Sequence, residues 1–399
     1  MQISSRHALV YAGPTVLLFL LLFAHVTALR SIALVITVAA AAYAWRKHPG
    51  PPIPLKLPLA LWIGMALLSL AWARDPAYSF GEIRSEIGYD IVYFVAFFAL
   101  TRERWQWTTF RGALLAGLAT MTGIAVWLYS RTQNLDTDSP LGGVLTICTH
   151  LVTVLPLLVA AMFEFRRNIP ALAVGILAVI AALGVGYFTF NRNFILAVDA
   201  SCLTMALMLI RRHVSSRRHL AMLMLATAIV AGASAAFLLS VAQQRAGTEN
   251  VDATVQATFE RDPRWALWDF SLDLIRERPV TGVGFGRFAA HGSYLEKFPE
   301  DRLNSHAHNP FLNYAVQMGI GGVAALLFLL LNLFREFWKL WRCDDPQVSL
   351  IGVAGLAMVI GVLVKSQSED LWIRQNGYLF WALTGIMLGY AHRLRRNPG

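Results

Sequence analysis

Residues 305–322 read SHAHNPFLNYAVQMGIGG, from Ser305 to Gly322, and they close a long polar segment and open an apolar one. Asn309 is a good N-cap and Pro310 a good first helical residue, so a helix is predicted to start at 310. Nine residues separate Asn309 from Gly319, and Gly322 follows three positions later. That spacing predicts two glycines on one helix face, where a second helix can pack close. His308, a titratable imidazole, then stands where an apolar helix meets water.

The apolar run beginning there is one of twelve. They cover roughly 8–26, 29–45, 57–73, 87–101, 110–129, 142–163, 169–188, 193–210, 219–240, 310–333, 347–365 and 376–392. The 399 residues are 56% hydrophobic and 15% charged, with a mean hydropathy of +0.53. A soluble chain of this length carries more charge. Runs of membrane length predict an all-α polytopic membrane protein with about twelve transmembrane helices. Short alternating strands, the mark of a membrane β-barrel, do not occur. The first run has a weak cleavage site at Val26-Thr27-Ala28 but reads as an uncleaved anchor, because removing it spoils the alternation of charge.

The net charge of +10 predicts no nucleic-acid partner, because the basic residues fall mostly in loops between apolar runs. Counted by alternate loops, nineteen of the 34 Lys and Arg lie on one side, among them Arg46, Arg102, Arg166, Arg211 and Arg395. Seven lie in short loops on the other, and the rest in the long segment 241–309, which counts little. The expected orientation therefore has both termini in the cytoplasm and the long segment outside. Cys148, Cys202 and Cys343 are scattered, with no spacing that predicts a disulfide, and no Cys/His pattern predicts a metal site.

The chain reads as a single membrane domain, 1–399, with 241–309 as a cap between the ninth and tenth spans. About seventy residues are too few for a sizeable core of their own, so the cap is expected to pack on the bundle. Within it a helix is predicted from Asp262 and Pro263, with Trp265, Trp268, Leu272 and Ile275 as its apolar face and Pro279 as its stop. Gly282-Val283-Gly284-Phe285-Gly286 reads as a turn, and a second helix is expected over 287–297. That glycine run lacks the preceding strand and the lysine of a nucleotide-binding loop.

Charges at a membrane edge are functional candidates because they are expensive there. His308 suits a general base or an orienting group for an attacking hydroxyl, although an interfacial histidine can equally bond a helix end. His306, two residues away, is expected to point elsewhere and to be accessory. Arg264, in the first turn of the cap helix, suits a phosphate; a solvated surface arginine is the plainer alternative. Arg192, in the turn Phe190-Asn191-Arg192-Asn193, suits an anion or simply snorkels. Arg84, in Gly81-Glu82-Ile83-Arg84-Ser85-Glu86, has acidic neighbours that fit a salt-bridged interfacial helix. His150 and Lys365 either line a cavity or are paired within the bundle. Most tryptophans, such as Trp45, Trp72 and Trp127, fall near span ends as an aromatic belt.

The pattern His308-Asn309, nine residues, Gly319-x-x-Gly322 resembles the signature of O-antigen ligases, within the O-antigen ligase and polymerase group. The resemblance extends to the twelve-span layout, the arginine-bearing turn at 192, and the large loop with Arg264-x-x-x-Trp268, Pro279 and the glycine run. Asn191 stands where Ser is common in that family. The resemblance implies a C-type membrane glycosyltransferase fold with a small helical periplasmic cap, in the bacterial inner membrane. It implies transfer of O-polysaccharide from an undecaprenyl-diphosphate-linked donor to a hydroxyl of the lipid A–core acceptor, at the periplasmic face among membrane lipids. His308 would be the catalytic histidine, Arg264 and Arg192 the diphosphate-facing arginines, with Arg84, Asn309 and His306 as further substrate-binding candidates. No cofactor is expected, since the donor is already activated. An O-antigen polymerase or a protein O-oligosaccharyltransferase are the near alternatives. The former often has two large outer loops and the latter a longer C-terminal outer region. A transporter is the alternative of another class, but it predicts mid-membrane charge pairs and inverted repeats.

Overall fold

The computed structural model describes residues 5–47, 50–135, 140–164, 168–213, 217–246, 264–299, 306–367 and 373–396. Among them the chain is helical throughout, with no strand. The helices are α1 Ser5–Leu20, α2 Thr27–Lys47, α3 Lys56–Leu68, α4 Pro76–Ile83, α5 Tyr89–Leu100, α6 Arg104–Thr132, α7 Gly143–Glu164, α8 Ile169–Phe188, α9 Arg192–His213 and α10 Arg217–Ala246. They continue with α11 Arg264–Glu277, α12 His291–Lys297, α13 Pro310–Trp341, α14 Pro346–Lys365 and α15 Gln375–Arg396. Each of the twelve expected apolar runs overlaps one of these helices. Among the described residues, seven helices are long and apolar enough to cross a membrane by themselves: α2, α6, α7, α8, α9, α13 and α14.

Burial separates the inner helices from the outer ones. In α7 and α14, 72% of the apolar window is buried inside the protein; in α8, with a mean hydropathy of 2.4, only 17% is. Ile169 and Leu177 on α8 and Val35 on α2 are 77%, 66% and 70% exposed. Apolar surface on this scale on a monomer calls for lipid. The protein is a multi-pass helical membrane protein.

Helix α14 lies against α9, α7 and α13, and α15 lies along α5. The α9–α14 pair runs antiparallel. Ser201 Oγ donates to the Ala357 carbonyl at 3.0 Å, and the Arg212 guanidinium reaches the Cys343 carbonyl at 2.9 Å. The start of α9, at Arg192, therefore shares one end of the bundle with Lys365, the last residue of α14. The opposite end is tied by an ion pair between Arg111 and Glu164, and Gln347 Nε2 donates to Glu164 Oε1 at 3.1 Å.

Helix α13 decides where the site lies. It starts as predicted, with Asn309 Oδ1 accepting from the N–H groups of Phe311 and Leu312 at 3.0 and 3.2 Å. The expected glycine face does not form. Gly319 has φ 65° and ψ −162° and breaks the helix. A Cβ there would meet the Val280 carbonyl oxygen at 2.3 Å, so the close neighbour is a loop and not a helix. Gly322 faces its own preceding turn, at Met318 and Tyr314, while Gly321 between them faces Met65 on α3.

The loop at the break is the segment Pro279–Gly286, whose glycines the sequence presents as a turn. It is a strap. Val283 N–H donates to the Val316 carbonyl at 2.9 Å and Gly284 N–H to the Gln317 carbonyl at 3.0 Å, while Ile320 N–H donates to the Pro279 carbonyl at 2.9 Å. Broken helical hydrogen bonds are thus remade across the strap, as buried backbone requires. The Arg74 N–H donates to the Val283 carbonyl at 3.0 Å, and Trp72 Nε1 donates to the Thr281 carbonyl, so the turn after α3 holds the strap's other edge.

The cap helices also depart from expectation. Asp262 and Pro263 lie outside the described residues, and α11 ends at Glu277, ahead of Pro279. Its buried face is Leu267, Phe270, Ser271 and Leu274, not the stripe of Trp265, Trp268, Leu272 and Ile275. Both stripes are apolar. The first wins because Tyr294 of α12 packs there, edge-on to Phe270 at 5.4 Å, with Val283 and Ala290 completing a small separate core. The second cap helix covers 291–297 and not 287–297, since Gly286 and the residues after it continue the strap.

The break makes Gly319→Ala a severe test. The substitution is expected to lower stability by about 2 kcal/mol or more, from strain and overpacking. Gly123→Ala on α6, where a Cβ meets nothing within 4 Å, is expected to be neutral or stabilising by about 0.5–1 kcal/mol. Thermal unfolding of the two purified variants measures the contrast; equal melting temperatures would count against the break.

Candidate functional site

The histidine loop is pinned at its middle residue. Ala307 is buried, its carbonyl accepts from Trp268 Nε1 at 2.9 Å, and its N–H donates to Asn313 Oδ1 at 2.9 Å. With Ala307 fixed between α11 and α13, the histidines on either side of it come together. The His306 and His308 rings lie 4.1 Å apart, centroid to centroid. The expectation that His306 points elsewhere is therefore corrected: the loop is neither helix nor simple turn. His308 takes φ 50°, a left-handed conformation uncommon for a residue with a side chain. Such strain costs about 1–3 kcal/mol and persists only where the surroundings impose it.

Asn309 is engaged at both ends of its amide. Its oxygen caps α13, and its Nδ2 donates to Gln367 Oε1 at 3.1 Å. It ties the histidine loop to the segment that follows Lys365, which gives it a positioning role.

Cations surround His308. Arg264, the first described residue of α11, and Arg287, which follows the strap, both lie close enough for their charge to bear on its imidazole. Burial first, and those two arginines next, pull His308 down to about 4 from the ordinary histidine value. Burial, His308 and Arg287 take His306 down to about 3. Both rings are neutral at pH 7, as a proton-accepting group must be. Lys365 is fully buried, and among its charged neighbours is Arg264. The structure thus brings Arg264, His308, His306 and Lys365 together, and the antiparallel α9–α14 pairing puts Arg192 at the same end. Arg84 is not among the residues whose charge bears on His308. It is exposed on the π-helical turn Arg84–Gly88, and among the described residues its side chain makes no hydrogen bond or ion pair. His150 is fully buried on α7 beside Arg30 and Asn376.

Arg287 is the residue that sequence reasoning missed. Its guanidinium sits 4.5 Å over the Phe288 ring. With His306, Asn313 and Gln317 it lines a cavity of about 10 Å³, about the room one water needs. The only sequence signal was its place directly after the glycine run. Among the described residues, no group of three His, Cys, Asp or Glu side chains is arranged to hold a metal ion.

Cations thus stand near a neutral imidazole at one end of a bundle clad in apolar residues, in a multi-pass membrane protein. A family model described as O-antigen ligase matches residues 176–327, which include Arg192, Arg264 and His308. Over this segment the chain is similar to the O-antigen ligase family. No curated protein matches the chain.

The electrostatics predict a titration with a defined sign. The folded-state value of His308 lies below the unfolded one, so the unfolded chain binds more protons between about pH 6.5 and 4. This histidine's contribution to stability is thus fully present above that window and is lost as pH falls through it. Replacing Arg264 and Arg287 together by Gln is expected to move the His308 titration upward, toward 6.5. Histidine NMR, with the resonance assigned by its loss in His308→Gln, measures this; an unmoved midpoint would mean the arginines do not face the ring.

Proposed function

We propose that the protein transfers a glycan from a polyprenyl diphosphate to an acceptor hydroxyl, as an O-antigen ligase acting on undecaprenyl-diphosphate-linked O-polysaccharide and lipid A–core. The observation that carries this reading is a neutral His308 beside Arg264 and Arg287, all three within a segment that matches the O-antigen ligase family. The charge pattern supports an inner-membrane protein with cytoplasmic termini, and residues 241–309 as a periplasmic cap on a single domain.

In this mechanism Arg264, with Arg192 and Lys365 at the same end, holds the diphosphate. The acceptor oxygen forms its bond to the anomeric carbon as the bond from that carbon to the diphosphate oxygen breaks. The bonding pair leaves with the polyprenyl diphosphate, and the hydroxyl proton passes to His308. Guanidinium groups stabilise the leaving charge in the role a metal ion takes elsewhere. Displacement of this kind inverts the anomeric centre. A histidine held near 4 is a weak base in the resting protein. The donor's negative charge offsets the arginines and raises it, so the base strengthens when the donor is in place.

The test uses purified protein in lipid, polyprenyl-diphosphate glycan and lipid A–core, without nucleotide or metal. His308→Ala is expected to lower transfer by about 10²–10⁴-fold, and Arg264→Ala by about 10²-fold or more. Growth of the lipid-linked glycan alone would make the protein a polymerase. A requirement for divalent metal, or retained configuration in the product, would contradict the mechanism.

A further inference from the structure

Arg264 and Arg287 both bear on His308. Arg264 also bears on Lys365, at the end of the bundle that Arg192 shares. Arg287 also bears on His306 and on Tyr78 of α4. The contacts place Arg287 beside His306. Arg287 lies over Phe288, the Phe288 ring is 6.3 Å from His306, and His306 is 4.1 Å from His308. The backbone holding this arm is fixed at both ends. Gly286 N–H donates to Gln317 Oε1 at 3.2 Å, and Phe288 N–H donates to the Tyr78 hydroxyl at 3.0 Å. Phe288 itself is 40% exposed.

In a displacement at an anomeric carbon, nucleophile and leaving group occupy opposite sides of that carbon. If Arg264, Lys365 and Arg192 hold the leaving diphosphate, the acceptor must approach from beyond His308, where Arg287 stands. A guanidinium on a fixed stretch of backbone, with an exposed aromatic ring beside it, suits a saccharide carrying a negative charge. The ring offers an apolar face to the sugar's C–H groups, and the guanidinium offers paired donors to an oxyanion.

We propose that Arg287 is an acceptor-specificity residue, whose guanidinium binds a phosphate or carboxylate group carried by the acceptor saccharide near the hydroxyl that receives the glycan. The inference rests on the transferase reading above and adds the chemical class of the acceptor to it.

The experiment measures initial rates for the full-length protein in nanodiscs, with the acceptor lipid A–core intact, phosphatase-treated or carboxyl-reduced. Wild type is compared with Arg287→Gln and Arg287→Lys. Loss of a charge-assisted hydrogen bond predicts that Arg287→Gln raises the acceptor KM roughly tenfold or more. The change in donor KM is expected to be much smaller, kcat moves with the His308 titration that Arg287 also influences, and Arg287→Lys is expected to recover part of the acceptor KM. Removing the relevant anionic group from the acceptor should raise the wild-type KM by a similar factor and add little in Arg287→Gln. Equal acceptor KM values in wild type and Arg287→Gln would overturn the inference, as would a loss confined to kcat or donor KM. If the effect of Arg287→Gln vanishes when phosphatidylglycerol is replaced by phosphatidylcholine, the anion is a lipid headgroup and the inference fails. Should Arg287→Gln melt early, the acceptor-removal arm in wild type decides alone. No transfer by wild type to any acceptor would overturn the transferase reading and this inference with it, whereas transfer without acceptor-charge dependence overturns this inference only.

Discussion

A helix that breaks inside an apolar bundle must find new partners for its backbone, and the rest of this site depends on how α13 solves that problem. At Gly319 the chain leaves helical geometry. The strap Pro279–Gly286 restores hydrogen bonds across the gap, through the carbonyls of Val316, Gln317 and Pro279. Non-helical backbone at membrane depth is tolerated only when protein satisfies it in this way. One consequence is that the first turns of α13, the strap and the cap helix α11 form a single bonded unit. Trp268 and Asn313 reach from two parts of that unit to the same residue, Ala307. The positions of His306 and His308 follow from that.

The chemistry follows from the same construction. Arg264 enters from the start of α11, and Arg287 leaves from the end of the strap. Lys365 comes from α14, which Asn309 joins to the histidine loop through Gln367. Arg264 and Arg287, from two parts of the cap, thus bring positive charge to one imidazole, and its resting state is neutral. At the opposite end of the bundle, Arg111 pairs with Glu164, and Arg212 with Asp344 and two carbonyls. The positive charge there holds helices together. At the His308 end it is arranged around a group that can accept a proton.

Much of the fold was legible in the sequence because membrane helices announce themselves by length and composition. The start of α13 at Asn309-Pro310 was legible for a local reason, since the capping side chain and the fixed proline φ act within one turn. The role of Gly319 was not. A glycine at helical spacing looks the same whether it admits a neighbouring helix or breaks for a loop forty residues upstream. The apolar face of α11 was misread because Trp265 and Trp268 form as good a stripe as Leu267, Phe270 and Leu274, and only the position of Tyr294 chooses between them. Arg287 and the pairing of the two histidines were hidden for the same reason. Both depend on where the strap docks, which is a non-local fact. Arg84, a candidate as a charge at the membrane edge, is exposed on the π-helical turn Arg84–Gly88.

The central claim is that His308 sits in a cationic seat built to receive a diphosphate. The most direct test is the His308 titration midpoint in the intact protein, measured by histidine NMR with and without undecaprenyl diphosphate. The account predicts a low midpoint, near 4, in the free protein, and a clear upward shift once the diphosphate neutralises the arginines. An unchanged midpoint, with the ligand demonstrably bound, would place the diphosphate elsewhere and contradict the account.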